Sequence, residues 1–282
     1  MSLLSKLFGK RTADAGDAPS TPPPGGVLTP TQFAEHYVRM LKVDAPEIQA
    51  RRVDTEIHLS WRDGGTMKQF LRNAYASYVG DPDALDAVLQ AQLASARSSA
   101  APQDPLNLDL VLPVIKTTQW LQTVQREAHP DHADFVMVSR ALVGDLIVAI
   151  AQDRADAISY VNVKDLAGVC DEAELFERAM INLARRADDL VTKGGGGRYR
   201  VELDGFFDAS LVLIAEDWLA PLGLQGDPVF AMPCREQLMV CGSSDERSVA
   251  SLAEITPEIA RGSAYAISDV LYVLKGGELR PL

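Results

Sequence analysis

The sequence predicts an α+β protein, with mixed, largely antiparallel sheets packed with helices, in two parts behind a disordered N-terminal tail. Three observations predict it. Segments with apolar residues at helical spacing and segments of polar–apolar alternation follow one another without the strand–helix–strand rhythm of a doubly wound sheet. Pairs of short apolar stretches flank compact turn sequences such as Lys275-Gly276-Gly277, as hairpins do. Finally, 47% of the 282 residues are hydrophobic, enough for one sizeable core or two smaller ones and too many for a disordered or collagen-like chain.

Residues 1–28 form the predicted tail. Leu3, Leu4, Leu7 and Phe8 fall on one helical face with Lys6, Lys10 and Arg11 around the rest, a short basic amphipathic pattern suited to contact with a membrane surface or a partner. The stretch that follows, with Pro22-Pro23-Pro24-Gly25-Gly26, holds too little apolar mass to offset the entropy of ordering, and reads as an extended linker. These 28 residues carry three basic and two acidic side chains, so the tail differs in sign from the acidic body.

Residues 29–100 are expected to form a small α+β part. Thr29, Pro30 and Gln32 have the spacing of a capping box with proline in the first turn, and Phe33, Tyr37, Met40 and Leu41 continue as a helical stripe. Glu56 to Trp61 alternates and is followed by the turn Arg62-Asp63-Gly64-Gly65, so it predicts a strand that is half of a hairpin. A helix is expected from about Met67 to Tyr78. Another starts at Asp81-Pro82-Asp83 and runs through Leu85, Val88, Leu89 and Leu93. Ser98 to Asn107 has the composition of a connection between parts.

Residues 108–282 make the second part. Leu108 to Ile115, broken by Pro113, reads as an edge strand, and Val143 to Ala151 and Ala157 to Val163 as two strands around a turn. Asp171 caps a helix in which Leu175, Phe176, Ala179, Met180, Leu183, Ala187 and Leu190 recur at the helical period. Gly194 to Gly197 reads as a flexible connector ahead of a strand at Arg198 to Leu203, since no helix follows to make the glycines a phosphate cradle. Asp208 to Leu219 is apolar almost all round, which predicts a central helix stopped by Pro221 and Gly223. Pro228 to Met232 pairs with Gln237 to Cys241, Ser244 caps a helix to about Ile259, and Ser268 to Leu274 forms a closing hairpin with Glu278 to Leu282.

The net charge of -12 repels phosphate backbones, so no nucleic-acid partner is expected. Cys170, Cys234 and Cys241 are odd in number and widely spaced, which fits small core residues in a reducing cytoplasm rather than disulfides or a zinc site. No apolar run reaches the roughly 20 residues of a membrane span. Nucleophile elbow, Walker A, dinucleotide, HExxH and CxxC patterns are absent, and no cofactor or metal is expected. His129-Pro130-Asp131-His132 with Asp134 offers ligand types but reads as a solvated turn. Asp204, Gly205, Asp208 and Ser210 open the most apolar helix, where a carboxylate either caps or positions a polar ligand. Arg235 and Glu236 occupy the turn between two strands as an ion pair or an exposed tip, and Asn182 borders the apolar stripe of its helix.

Four stretches carry a resemblance: LVGDLIVAIAQDRADAISYVNVKDL (142–166), FERAMINLAR (176–185), GFFDASLVL (205–213), and VFAMPCREQLMV (229–240) with VLYVLKGGELRPL (270–282). In this order they resemble the YtpQ-like family of bacterial proteins. Ala141 stands where the family pattern has a proline, and Ala149 or Ile150 where it has a tyrosine. Positions that match the pattern are Gly144, Asp145, Asn182, Gly205, Asp208, Ala209, Ser210, Pro233, Arg235, Glu236 and Leu238. The resemblance implies a fold and a bacterial cytoplasmic setting, and carries no reaction with it.

Two functional readings follow. The preferred one is a noncatalytic protein-interaction module with an unidentified protein partner, brought to that partner or to a membrane surface by Leu3, Leu4, Leu7 and Phe8. The alternative is a small-molecule binder or hydrolase, which requires Asn182, Asp208, Ser210, Arg235 and Glu236 to converge in one pocket near the start of the Asp208 helix.

Overall fold

The computed structural model describes residues 27–53, 56–62, 66–100, 105–128, 136–154 and 158–282. The amphipathic tail, the Asp63-Gly64-Gly65 turn and the His129–Asp134 loop lie outside the described residues. The fold is α+β, and every strand pairing in its three sheets is antiparallel.

Helix α1 (Pro30–Asp44) starts at the expected capping box, with the Thr29 side chain accepting from Gln32 N–H and the Gln32 side chain accepting from Thr29 N–H. Strands β1 (Gln49–Val53), β2 (Glu56–Ser60) and β3 (Thr66–Phe70) form a meander, followed by α2 (Arg72–Gly80), a short 3-10 turn at Pro82–Ala84 and α3 (Leu85–Ala100). Phe33, Tyr37 and Leu41 from α1 meet Ile57, Leu59, Tyr78, Leu89 and Leu93 in one apolar cluster. Each such side chain contributes about 1.5–3 kcal/mol by leaving water. The expected helix from Met67 is corrected: residues 66–70 are a strand, with Met67 opposite Leu59 and Gln69 opposite Ile57. Gln69 hides the alternation because it is a polar residue on the buried face, where the Tyr37 hydroxyl lies 2.7 Å from its Oε1 and its Nε2 donates to the Gln92 carbonyl at 3.1 Å. The expected connection also begins later, since α3 continues to Ala100.

The second part opens with β4 (Val111–Thr117) and α4 (Thr118–Ala128), then β5 (Ser139–Val143), β6 (Leu146–Asp153) and β7 (Ile158–Tyr160). β4 lies at the edge of this sheet, as Pro113 predicts, and pairs with β6; β5 and β7 also pair with β6. The strand expected from Val143 starts at Leu146 instead: Val143 ends β5, and Gly144, with φ +59°, turns the chain between β5 and β6.

Helix α5 (Glu172–Arg186) begins at Asp171, whose carboxylate accepts from Glu174 N–H at 2.8 Å. β8 (Val191–Gly195) and β9 (Arg198–Glu202) come next, so the glycine run is part of a hairpin rather than a connector. Gly194 is required in β8: its φ is +123°, and a Cβ there would stand 2.4 Å from the Arg198 carbonyl oxygen. The central apolar segment is a 3-10 helix over Asp208–Ile214 that widens into α6 (Ala215–Trp218), instead of one long α-helix. The Trp218 indole N–H donates to the Leu211 carbonyl at 2.9 Å, the group an α-helix would offer to Ala215, and Ala215 N–H bonds Val212 instead.

Strands β10 (Pro228–Cys234) and β11 (Gln237–Gly242) pair as expected, helix α7 (Glu246–Gly262) is capped by Asp245 rather than Ser244, and β12 (Leu271–Lys275) with β13 (Glu278–Pro281) closes the chain. They join β8 and β9 in a sheet of order β13-β12-β10-β11-β9-β8. Side-chain alternation sets the layers. In β10 and β11, Val229, Ala231, Met239 and Cys241 face α7, while Phe230, Met232, Leu238 and Val240 join a central core with Leu112, Val114, Phe207, Leu211 and Trp218. α5 covers the outer face of the four-stranded sheet against Val111, Val148 and Ile150. No helix among the described residues is long and apolar enough to cross a membrane.

Candidate functional site

Asp208 follows the loop that delivers the chain into the central core. It is 1% exposed, and its carboxylate accepts from the N–H groups of Leu203 at 3.1 Å, Asp204 at 3.4 Å and Gly205 at 2.7 Å. Three donors leave the carboxylate little capacity for a ligand. Asp204 repeats the arrangement one turn outward, accepting from Phe206 and Phe207 N–H and pairing with Arg186 at 3.0 Å, while Arg186 also pairs with Asp153. Ser210 is buried as well, its N–H donating to the Phe207 carbonyl. Together these groups lock the loop and hold Phe206 outward, 48% exposed.

Asn182 stands elsewhere. Its amide donates to the Leu108 and Val111 carbonyls at 2.8 and 2.9 Å, tying α5 to the start of β4.

Arg235 and Glu236, in the β10–β11 turn, are an ion pair with Arg235 Nε donating to Glu236 Oε1 at 2.9 Å. The Arg235 guanidinium carbon sits 3.5 Å from the Tyr265 ring centroid and 4.8 Å from that of Phe206, so it makes cation–π contacts with both rings. Its backbone is fixed as well, with N–H donating to the Tyr265 carbonyl and C=O accepting from Ala209 N–H. That last bond couples the turn to the Asp208 loop.

Lys116 completes the cluster from the four-stranded sheet. Alternation along β4 places it on the face of Leu112 and Val114, and the residue is only 8% exposed. Its ammonium lies 5.0 Å from the Trp120 ring centroid, and Trp120 in turn packs on Tyr160 at 4.7 Å. Among the described residues Lys116 Nζ has no hydrogen bond or ion pair. Burial, reinforced by the Arg235 charge and opposed by Glu236, pulls its pKa down to about 8. The Tyr160 hydroxyl is pushed up by burial, with Arg235 pulling the other way. Cys234 is raised to about 11 by burial and by the Glu236 carboxylate, and Cys241 to about 11 by burial and by Asp245, so both thiols are protonated and poorly nucleophilic at neutral pH.

The five residues singled out in the sequence therefore divide. Arg235 and Glu236 belong to a charged cluster, Asp208 and Ser210 belong to the segment that Ala209 N–H ties to the Arg235 carbonyl, and Asn182 serves the opposite end of β4. Lys116, Trp120, Tyr160, Phe206 and Tyr265 went unnoticed. The available signal was Lys116 itself, which continues the buried face of an otherwise apolar strand. Two cations and one carboxylate stand here among aromatic rings, and Lys116 Nζ has neither a hydrogen bond nor an ion pair among the described residues. Among the described residues no three His, Cys, Asp or Glu side chains gather as a metal site would require. No family model, curated protein or solved structure matches the chain.

Proposed function

We propose that the chain is a noncatalytic interaction module of the bacterial cytoplasm, related to the YtpQ-like proteins, and that its recognition centre binds a carboxylate of a protein partner between Lys116 and Arg235. The observation that carries this reading is Lys116, a nearly buried cation with no hydrogen bond or ion pair among the described residues. Burying a charge is costly unless it is paired, so an arriving carboxylate recovers free energy that the free protein forgoes. Stacked arginine and a half-exposed Phe206 are the residue types that anchor protein interfaces. A pocket reading centred on Asp208 has less support, because that carboxylate already accepts three backbone N–H groups.

Titration with a blocked Asp/Glu-rich peptide and with its Asn/Gln counterpart tests the proposal by calorimetry. Binding of the acidic peptide at least tenfold tighter, weakening with salt, is the expected result. Equal binding of the two peptides, or none by either, refutes it.

A further inference from the structure

We propose that the surface hollow between β5, the 3-10 segment leading into α6 and the β12–β13 hairpin is the docking site of the chain's own first eleven residues. The hollow measures about 710 Å³ and its floor is apolar, with Leu142, Leu213, Leu274 and Leu279 all partly exposed. Its rim is acidic. Glu216 and Asp217 stand exposed without an ion pair among the described residues, and Glu278 shares its charge with Arg280 at 2.5 Å.

The occupant is argued from complementarity and reach. Residues 1–11 present Leu3, Leu4, Leu7 and Phe8 on one helical face and Lys6, Lys10 and Arg11 beside it, an apolar ridge flanked by three cations for an apolar floor flanked by carboxylates. Residues 12–28, rich in proline and glycine, span up to about 50 Å at roughly 3.1 Å per residue. Tethering also supplies a local concentration in the millimolar range, enough to seat a short helix of modest affinity. This inference is independent of the Lys116–Arg235 reading, since the two sites share no residue.

A photoreactive benzophenone side chain in place of Phe8 in the full chain tests it. Irradiation is expected to yield a product of single-chain mass joined within 213–217 or 274–279. The double variant Glu216→Lys with Asp217→Lys should lower that yield at least fivefold. Lys6→Glu with Lys10→Glu and Arg11→Glu should do the same without touching the folded body, which covers any folding defect of the first variant. Cross-links scattered over the surface, cross-links between two chains, or a yield unchanged by the tail variant would overturn the proposal.

Discussion

Asp208 and Lys116 are buried to nearly the same degree, 1% and 8% exposed, and both are charged side chains beside the central core. Their surroundings differ in one respect. The Asp208 carboxylate accepts from three backbone N–H groups in its own loop, whereas Lys116 Nζ is given an aromatic face, the opposing charges of Arg235 and Glu236, and no hydrogen-bonding partner among the described residues. A buried charge whose capacity is filled by the backbone holds the fold together. One left short of partners costs stability in the free protein, and such a cost persists where binding repays it. The contrast therefore separates scaffold from recognition site within one region.

The largest effect is expected on the scaffold side. Asp208→Ala strands the N–H groups of Leu203, Asp204 and Gly205, and should cost about 3–5 kcal/mol in a urea unfolding experiment. A loss below about 1 kcal/mol would mean that the loop is held by Asp204 and Arg186 instead, and the comparison would lose its first half.

Lys116→Met should act in the opposite direction. Removing a cation that burial disfavours is expected to stabilise the chain by about 1–3 kcal/mol at pH 7, while weakening the acidic peptide at least tenfold. The pH profile sharpens this. Lys116 has a pKa of about 8 when folded against 10.5 for an ordinary lysine, so between those values the unfolded chain holds a proton that the folded chain has released. This term makes the folded state more stable as pH rises from about 8 to 10.5, with the full penalty present below pH 8. The advantage of the Met variant should shrink over that window, and peptide binding by the natural chain should fall as pH passes 8. A variant that is destabilised at pH 7 would show that Lys116 is a structural residue.

These two side chains also show what sequence reading captures. Capping at Thr29 and Asp171, the edge position of β4 and the closing hairpin were all legible, because each rests on residues within a few positions of one another. Strand β3 was not, since Gln69 is buried by a bond to Tyr37, a partner from a distant helix that overrides local polarity. The core segment after Asp208 was read as one helix, and a single indole N–H from Trp218 redirects it into a tighter turn. Arg235 and Glu236 were recognised as a pair, but their meaning depends on Lys116, Phe206 and Tyr265, which only the packing of two sheets brings near. Long-range convergence leaves no spacing in the sequence.

The smallest effect is the most discriminating within the recognition site. Arg235→Lys keeps the charge and the ion pair with Glu236 within reach, but removes the planar group that stacks 3.5 Å from the Tyr265 centroid. If the guanidinium is held there to present a flat, forked donor to a carboxylate, the variant should lose about 1 kcal/mol of stability or less, while peptide affinity drops about tenfold. If Arg235 served only to fasten the β10–β11 turn to the loop carrying Tyr265, the backbone bonds to Tyr265 and Ala209 would survive the change, and affinity would follow stability. Measuring both on the same variant, by calorimetry and by thermal unfolding, distinguishes a positioned donor from a structural strut. A parallel decline in the two quantities would leave Lys116 as the sole recognition element and reduce the cluster to a single point charge.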